Sequence, residues 1–295
     1  MSMIRVAAAA YPIEKLVDWA AYEAKITRWV GDAVEAGAQV LVFPEYAGME
    51  LTALLGDALA ADLQRSIDAL GPLLETSDAL HRSLAKKHGI VLVAGSAPVR
   101  LAPGRAVNRA HVFGPAGHLG HQDKLIPTRW ERDPWGITGQ GPARVFETPF
   151  GRFGICICYD AEFPMIARAM VEGGAQYLLV PSCTERLSGY WRVRVGAMAR
   201  ALEGQCVAVH APLIGTAAWS PAVDTNTGAA GVYGPSDNGF PADGVLALGG
   251  IDVAGWTFAE IDLAQIEEIR ADGAVLGVAH WAEQAERLGE NGDPA

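Results

Sequence analysis

The segment GRFGICICYDAEFP, residues 151–164, marks a point where a buried strand gives way to a helix. Its first half is apolar and β-prone, and a polar run after Cys158 leads to Pro164 and the helix-like run MIARAMVEGGA. Proline is tolerated in the first turn of a helix, where its missing N–H costs nothing. Cys158 therefore falls at a strand-to-helix junction, which suits a nucleophile. The alternative is a buried cysteine that acts only as a small hydrophobic residue.

The composition excludes several classes of protein. The chain has 295 residues, of which 50% are hydrophobic and 19% charged, and its net charge is −11. An acidic chain has no overall positive charge to attract nucleic acid or anionic lipid, and no apolar run is long enough to span a membrane. Four cysteines do not make a disulfide framework in a chain of this length. We expect a cytoplasmic protein with no nucleic-acid or membrane partner, whose residues 4–10 form a strand rather than a signal peptide.

Strand-like and helix-like patterns alternate along the chain. Short apolar runs predict strands at residues 4–10, 38–43, 90–97, 143–148, 153–157, 177–180, 206–211 and 256–261. Helical spacing of apolar residues predicts helices at residues 13–36, 52–70, 72–88, 163–173 and 190–203, and from residue 266 onward. Between them lie a hairpin with its turn at 114–117 and two loop-rich stretches, 125–141 and 213–250. This order predicts an α/β sandwich, with one domain over residues 1–285 and a C-terminal tail at 286–295.

Three side chains with catalytic potential follow strand-like segments. Glu45 comes directly after a buried strand, Lys124 stands at the exit of the hairpin, and Cys158 lies at a strand end. Ligand sites in open α/β sheets form beyond the carboxyl ends of the strands. Taken singly, Glu45 could cap a helix, Lys124 could be solvated, and Cys158 could belong to the core, so these positions alone do not establish a site.

In combination, the three segments resemble the nitrilase superfamily of carbon–nitrogen hydrolases. Phe43-Pro44-Glu45 matches the glutamate segment of the family, residues 124–127 match its lysine segment, and residues 154–164 match its cysteine segment in part. Further matches follow the cysteine, at Arg168, Gly174-Ala175 and Pro181-Ser182. The resemblance covers nearly the whole chain, and the combination is specific although each motif alone is weak.

The chain departs from the family pattern at two places, and the second indicates its branch of the family. Met165 stands where the family usually has a glutamate, at a position that is not catalytic in the family. The nitrilase branch usually has Cys-Trp-Glu at the nucleophile, whereas this chain has Cys158-Tyr159-Asp160, which resembles the amidase, carbamoylase and ω-amidase branches.

The resemblance implies a four-layer α-β-β-α sandwich and a Glu-Lys-Cys triad. Cys158 would attack an amide carbonyl and form a thioester, with Glu45 as general base and acid. Lys124 and the backbone N–H of Tyr159 would stabilise the oxyanion. Glu131, seven residues after Lys124, lies where many members carry a second, supporting glutamate. A neighbouring ammonium and a base are expected to shift the thiol toward the thiolate, and neither a metal nor a cofactor is required.

The resemblance also implies a substrate class and an assembly. The expected reaction is hydrolysis of a small aliphatic or carboxylate-bearing amide to ammonia and a carboxylic acid. Candidate pocket residues are Tyr46, Trp130, Trp135 and Cys183. The protein is expected to form a homodimer or a larger homo-oligomer, with the helices after Cys158 at the interface.

Other functions remain open on the sequence. The same triad serves N-carbamoyl amino acid hydrolysis and nitrile hydrolysis. A Cys-His hydrolase would use His210 as the base, and a non-catalytic binding module would keep the fold alone.

Two further constellations are weak. His118, His121 and Asp123 are metal-ligating types, but a hairpin does not place residues three apart on one face. Cys156 and Cys158 lack the spacing of a C-x-x-C redox motif, so Cys156 is expected to belong to the core.

Overall fold

Two mixed β-sheets pack face to face between outer helices in the computed structural model, which describes residues 2–287. The strands are β1 (Met3–Pro12), β2 (Val40–Val42), β3 (Val91–Val93), β4 (Ala97–Ala102), β5 (Arg105–Gly114), β6 (Gly117–Asp123), β7 (Val145–Thr148), β8 (Gly151–Ile155), β9 (Tyr177–Ser182), β10 (Val207–Thr216), β11 (Thr225–Asn226), β12 (Gly231–Tyr233), β13 (Val245–Leu248) and β14 (Gly255–Asp262). The helices are α1 (Trp19–Glu35), α2 (Asp57–Ala60), α3 (Leu63–His88), α4 (Arg129–Arg132), α5 (Pro164–Glu172), α6 (Leu187–Glu203), α7 (Leu263–Asp272), α8 (Gly277–His280) and α9 (Glu283–Arg287), with 3₁₀ helices at Ala47–Leu55 and Cys158–Glu162.

The strand order divides the sheet into two halves. The first half runs β6-β5-β3-β2-β1-β14, with β4 also paired to β5. The second half runs β7-β8-β9-β10-β12-β13, with β11 also paired to β10. The halves join only at their ends, where Tyr11 and Pro12 of β1 pair in parallel with Leu213 and Ile214 of β10.

The alternation of side chains along β1 explains the layers. Even-numbered residues from Ile4 to Ala10 pack in a core shared with the second sheet. Odd-numbered residues from Ala7 to Tyr11 pack in a separate core with α1 and α3. Helices α5 and α6 cover the far side of the second sheet through residues such as Met170. Because successive side chains of a strand point to opposite faces, this strand separates two cores, which confirms the expected α-β-β-α sandwich.

Two helices differ from the expectation. The predicted helix at residues 52–70 is divided, because a 3₁₀ helix ends at Leu55, α2 ends at Ala60 and α3 begins at Leu63.

The sequence predicts two helices separated at Pro72, and this is wrong because α3 runs through the proline as a single helix. Gly71 has no Cβ to clash with the ring, and Pro72 lies on the exposed face, where water can hydrate the carbonyl of Asp68 that loses its partner. Buried residues on both sides, such as Ile67 and Leu84, keep one face against the sheet.

Two further expectations concern a membrane span and the bounds of the domain and its tail. None of the helices within residues 2–287 is long and apolar enough to cross a membrane. The single domain at 1–285 stays a prediction. The first two residues of the predicted tail end α9, and residues 288–295, like Met1, lie outside the described part of the chain.

Candidate active site

A cavity of about 450 Å³ lies where several strands end, and its lining includes all the predicted catalytic side chains. Glu45 follows β2, Lys124 follows β6, Cys158 follows β8, and Cys183 follows β9. The structure therefore brings together residues that lie far apart along the chain, at the edge where sites form in α/β sheets.

The Lys124 ammonium is the centre of the site. Its Nζ lies 2.7 Å from Glu45 Oε1 and 2.6 Å from Glu131 Oε2, and the three side chains are almost completely buried. The Asn108 amide donates a hydrogen bond of 2.9 Å to Glu45 Oε1. One cation thus holds two carboxylates, and the cluster carries one net negative charge when Glu45 is ionised.

Glu131 is fixed by the short helix α4 within the loop predicted at residues 125–141. Its Oε2 accepts the backbone N–H of Thr128 at 2.7 Å, and Thr128 Oγ1 accepts the N–H of Glu131, which completes a capping box. The Tyr46 hydroxyl donates to Glu131 Oε1 at 2.6 Å. These contacts aim the carboxylate at Lys124, as the resemblance implies for a supporting glutamate.

Cys158 occupies a strained turn. Its φ of +52° lies in the left-handed region, which non-glycine residues seldom adopt, and Tyr46 beside Glu45 has a φ of +58°. Strand β8 ends before Cys158, a 3₁₀ helix begins at it, and Pro164 opens α5 as the sequence predicts. Tyr159 is the next residue of the same 3₁₀ helix, so its backbone N–H directly follows the residue that carries the thiol.

The peptide groups of Cys183 link the candidate base to the candidate nucleophile. Its N–H donates to Glu45 Oε2 at 2.9 Å, and its carbonyl oxygen accepts the Cys158 thiol at 3.8 Å. The Cys183 thiol donates to Asn226 Oδ1 at 3.0 Å. Cys183 lines the cavity as expected, and its backbone is what organises the site.

Sequence reasoning missed Asp160 as a functional residue. Its fully buried carboxylate accepts three backbone N–H groups, from Leu125 at 3.2 Å, Ile126 at 2.8 Å and Ile157 at 3.2 Å. Asp160 therefore ties the cysteine turn to the loop after Lys124. The sequence signal that could have identified Asp160 is a carboxylate two residues after a cysteine at the end of a strand.

Burial and neighbouring charges separate the pKa values of the two glutamates. Burial raises the pKa of Glu45 to about 7, since it outweighs the attraction of Lys124, and the charge of Glu131 raises it further. Burial alone would also raise the pKa of Glu131, but the ion pair with Lys124 and hydrogen bonds from Lys124, Tyr46 and Thr128 lower it. Glu131 therefore stays ionised while Glu45 can exchange a proton near neutral pH.

The cation and the thiol are both held protonated. Burial alone would lower the pKa of Lys124, but the charges of Glu131 and Glu45 keep it well above its usual range. Burial and the charge of Glu45 raise the pKa of Cys158, and together they outweigh Lys124. The expected shift toward a resting thiolate is therefore wrong, and the thiol must lose its proton during attack.

Aromatic side chains form one wall of the cavity. Trp130 is 41% exposed and packs edge-on against Trp135, with ring centroids 5.4 Å apart. Tyr46 also packs against Trp135, with ring centroids 4.8 Å apart. The side chain of Tyr159 also lines the cavity. All the aromatic pocket residues proposed from the sequence thus lie at the site.

The structure does not join His210 to the cysteine. The imidazole is fully buried, its Nε2 lies 2.8 Å from Ser182 Oγ, and burial lowers its pKa to about 3. A neutral imidazole bonded to Ser182 gives no support to a Cys-His pair.

The histidine group around His118 and the neighbouring cysteine Cys156, both weak candidates in the sequence, make other contacts in the structure. Within residues 2–287, no group of three or more His, Cys, Asp and Glu side chains is arranged to hold a metal ion. His118 Nε2 lies 3.0 Å from Nδ1 of His111. Cys156 is fully buried, with its sulfur 3.7 Å from that of Met170, as expected of a core residue.

Comparison with known proteins establishes the family. Residues 5–271 match the family model described as carbon-nitrogen hydrolase. The chain belongs to the carbon–nitrogen hydrolase family. This confirms the resemblance inferred from the glutamate, lysine and cysteine segments.

Individual relatives and structures are similar over much of the chain. A probable hydrolase of Bacillus subtilis is 29% identical over 272 residues, which is 92% of this chain and 52% of that protein. A bifunctional nitrilase/nitrile hydratase of Lupinus angustifolius is 31% identical over 202 residues, or 63% of this chain and 55% of that protein. The chain thus spans about half the length of these relatives. The crystal structure of a carbon-nitrogen hydrolase from Helicobacter pylori has the same fold, with a TM-score of 0.75, 20% identity and 92% of each chain covered.

Replacing Asp160 with Asn should lower kcat for amide hydrolysis, the activity implied by the family, by about 10- to 100-fold through misplacement of the cysteine turn. An amide offers one acceptor oxygen and turns an NH₂ group toward backbone donors. KM should change less than about threefold, because Asp160 does not line the cavity. Steady-state ammonia release measures both constants.

Asp237 provides the matched control for this substitution. Its carboxylate also accepts two backbone N–H groups, from Asn238 and Ala274, but these belong to segments that carry none of the predicted catalytic residues. Asp237→Asn should keep kcat within about twofold of the original protein. Equal kcat values for both variants would contradict a positioning role for Asp160.

Proposed function

We propose that the protein hydrolyses the C–N bond of a small linear amide through a thioester on Cys158, releasing ammonia and a carboxylic acid. The proposal is carried by the convergence of Cys158, Glu45 and Lys124 in one buried cluster that lines the cavity. Membership of the carbon–nitrogen hydrolase family supports the reaction class.

In the first step, Glu45 accepts the thiol proton as the sulfur of Cys158 attacks the carbonyl carbon. A pKa of about 7 suits Glu45 to this role, since a general base works best with a pKa near the operating pH. The carbonyl π electrons move to oxygen, and the ammonium of Lys124 and the N–H of Tyr159 stabilise the oxyanion.

In the second step, the tetrahedral intermediate collapses and the C–N bond breaks. Glu45 returns its proton to the leaving nitrogen, ammonia departs, and the acyl group remains on Cys158 as a thioester. Glu45, ionised again, then takes a proton from water as the water oxygen attacks the thioester carbonyl. The C–S bond breaks, the carboxylic acid departs, and Glu45 returns the proton to the sulfur of Cys158.

The remaining polar residues keep these groups in place. Glu131 holds Lys124 through a second ion pair beside that with Glu45, and it remains charged throughout. The peptide groups of Cys183 contact both Glu45 and Cys158, so the base and the nucleophile keep a fixed relation. Preorganised contacts of this kind reduce the barrier because little rearrangement is needed during reaction.

Nitrile hydrolysis is the second candidate. The similarity to the lupin nitrilase/nitrile hydratase favours it, and the same cysteine, glutamate and lysine would serve. The Cys158-Tyr159-Asp160 sequence favours the amide. Ammonia release from matched pairs, such as butyronitrile and butyramide, shows whether the protein prefers a nitrile or an amide.

We also propose a homodimer or larger homo-oligomer that uses α5 and α6. Apolar side chains on these two helices are strongly exposed, namely Met165, Trp191, Val195 and Leu202. Removing such side chains from water favours association. The cytoplasmic location stays a prediction.

Substitution of the triad should abolish hydrolysis across a panel of small amides, N-carbamoyl amino acids and nitriles. Cys158→Ala, Glu45→Gln and Lys124→Met should each lower kcat/KM by about 10³-fold or more, since each removes the nucleophile, the base or the oxyanion cation. Ammonia release gives the rates.

The control for the thiol is Cys206→Ala, which removes a cysteine buried in the core outside the cavity. This variant should retain activity within about threefold. Activity of Cys158→Ala equal to that of the original protein would refute the thioester route. Silence of the original protein on every substrate would favour a non-catalytic binding module.

The pH dependence of kcat/KM should report Glu45. Because the base must be ionised, the rate should fall about tenfold for each pH unit below about 7, the raised pKa of Glu45, and level off above it. The small residual rate of Glu45→Gln should lack this inflection. An inflection near the ordinary pKa of a glutamate would contradict the assignment of Glu45 as the base. The same pH profile in the original protein and in Glu45→Gln would contradict it too.

Sedimentation velocity should show a dimer or larger species for the original protein. Val195→Asp should shift it toward the monomer, because Val195 is 61% exposed on α6 and a buried, unpaired carboxylate opposes association. Val17→Asp is the control, since Val17 is also exposed but precedes α1 in the opposite outer layer. A monomeric original protein would exclude the assembly.

A further inference from the structure

The charges that line the cavity are unbalanced. Five acidic and three basic side chains contribute, namely Glu45, Glu131, Glu162, Glu185 and Asp224 against Lys124, Arg186 and Arg192. The lining carries two net negative charges when all are ionised, and one when Glu45 is protonated. A cavity of one prevailing sign concentrates ligands of the opposite sign.

Every cation of the lining already has a carboxylate partner. Arg192 Nε lies 3.2 Å from Glu162 Oε1, and Arg186 Nε lies 3.5 Å from Glu185 Oε1. Lys124 is held between the two glutamates of the catalytic cluster. A negatively charged substrate would have to compete for arginines that are paired, inside a lining that repels it.

Asp224 is the exception among the acids. Its side chain is exposed to solvent, and its carboxylate has no hydrogen bond or ion pair to another residue within 2–287. Its backbone is fixed by a bond of 2.9 Å from Ala217 N–H to its carbonyl. Asn226, two residues on, bonds both Val223 and the thiol of Cys183. Asp224 thus lies in a segment that is hydrogen-bonded to Cys183, the residue whose N–H binds Glu45.

Asp224 also lines the cavity that holds the proposed reaction centre. Burial raises the pKa of the Cys183 thiol most, and the charge of Asp224 adds to this after those of Glu45 and Glu131. Trp130 and Tyr159 line the same cavity, and aromatic faces attract cations while they cover aliphatic stems. A carboxylate and aromatic rings together suit an alkylammonium group.

Resting on the proposed amidase function, we propose that the substrate is an amide that bears a positively charged amine distal to the scissile bond, and that Asp224 selects it. The ammonium gives the exposed Asp224 carboxylate a partner of opposite charge inside the cavity. The proposal differs from the expected aliphatic or carboxylate-bearing substrate, because the lining is net negative and its arginines have carboxylate neighbours.

Three amides of equal chain length test the inference. γ-Aminobutyramide carries an ammonium, valeramide has a methyl group in its place, and succinamate has a carboxylate. At about pH 8 the primary amine is protonated. The original protein should show kcat/KM about five- to tenfold higher for γ-aminobutyramide than for valeramide, and lowest for succinamate. About 0.5 M salt should reduce the preference, because exposed charges are then screened.

Asp224→Asn should reduce the ratio of kcat/KM between γ-aminobutyramide and valeramide to about one, through a higher KM for the cationic amide. Glu147→Gln is the control, since it removes one exposed carboxylate from β7, outside the cavity, and should keep the ratio.

An unchanged ratio in Asp224→Asn, or a preference for succinamate, would overturn the inference while hydrolysis of valeramide leaves the amidase function standing. Absence of ammonia from all three amides, with no acyl group on Cys158, would overturn both.

Discussion

The structure depends on a single ammonium group withdrawn from water between two carboxylates. Removal of Lys124, Glu45 and Glu131 from solvent is costly, and their mutual attraction compensates only when the remaining polar atoms are also satisfied. Asn108, Thr128 and the peptide of Cys183 provide those contacts. Loss of one member of such a cluster costs about 3–5 kcal/mol, because it leaves a buried charge without its partner.

The contacts around this ammonium explain why two sheets are needed. Glu45 and Lys124 follow strands of the first sheet, whereas Cys158 and Cys183 follow strands of the second. The two halves join where β1 pairs with β10, and the core between them fixes their separation. The active geometry is therefore a property of the packed sandwich rather than of any local motif.

The two glutamates differ in function because they differ in surroundings. Both contact Lys124, yet Glu131 is held ionised by several donors while burial leaves Glu45 able to take up a proton near neutral pH. In the proposed mechanism, one carboxylate anchors the cation and the other exchanges protons. The raised pKa of Cys158 fits that mechanism, in which the thiol proton passes to Glu45 as the sulfur attacks a carbonyl.

The sequence predicted those parts of the site that follow from strand ends and family motifs. Glu45 and Cys158 could be placed because they lie at the ends of apolar runs, Lys124 because it lies at the exit of a hairpin, and Glu131 because of its distance from Lys124. The unpaired charge of Asp224 could not be predicted, since it depends on which distant side chains share the cavity.

The fold was predicted where periodic patterns are long. Strands β11, β12 and β13 were missed within the loop-rich residues 213–250, because segments of two to four residues carry no recognisable period. Helix α3 was divided at Pro72 because the local cost of proline is visible in the sequence, whereas the buried face that offsets it is not.

The most direct test of the central claim is mass analysis of the protein during turnover. The protein mixed with a substrate amide and quenched in acid should gain the mass of one acyl group, and peptide mapping should locate it on Cys158. Turnover with no acyl group on the protein, or with the acyl group on Cys183, would contradict the account.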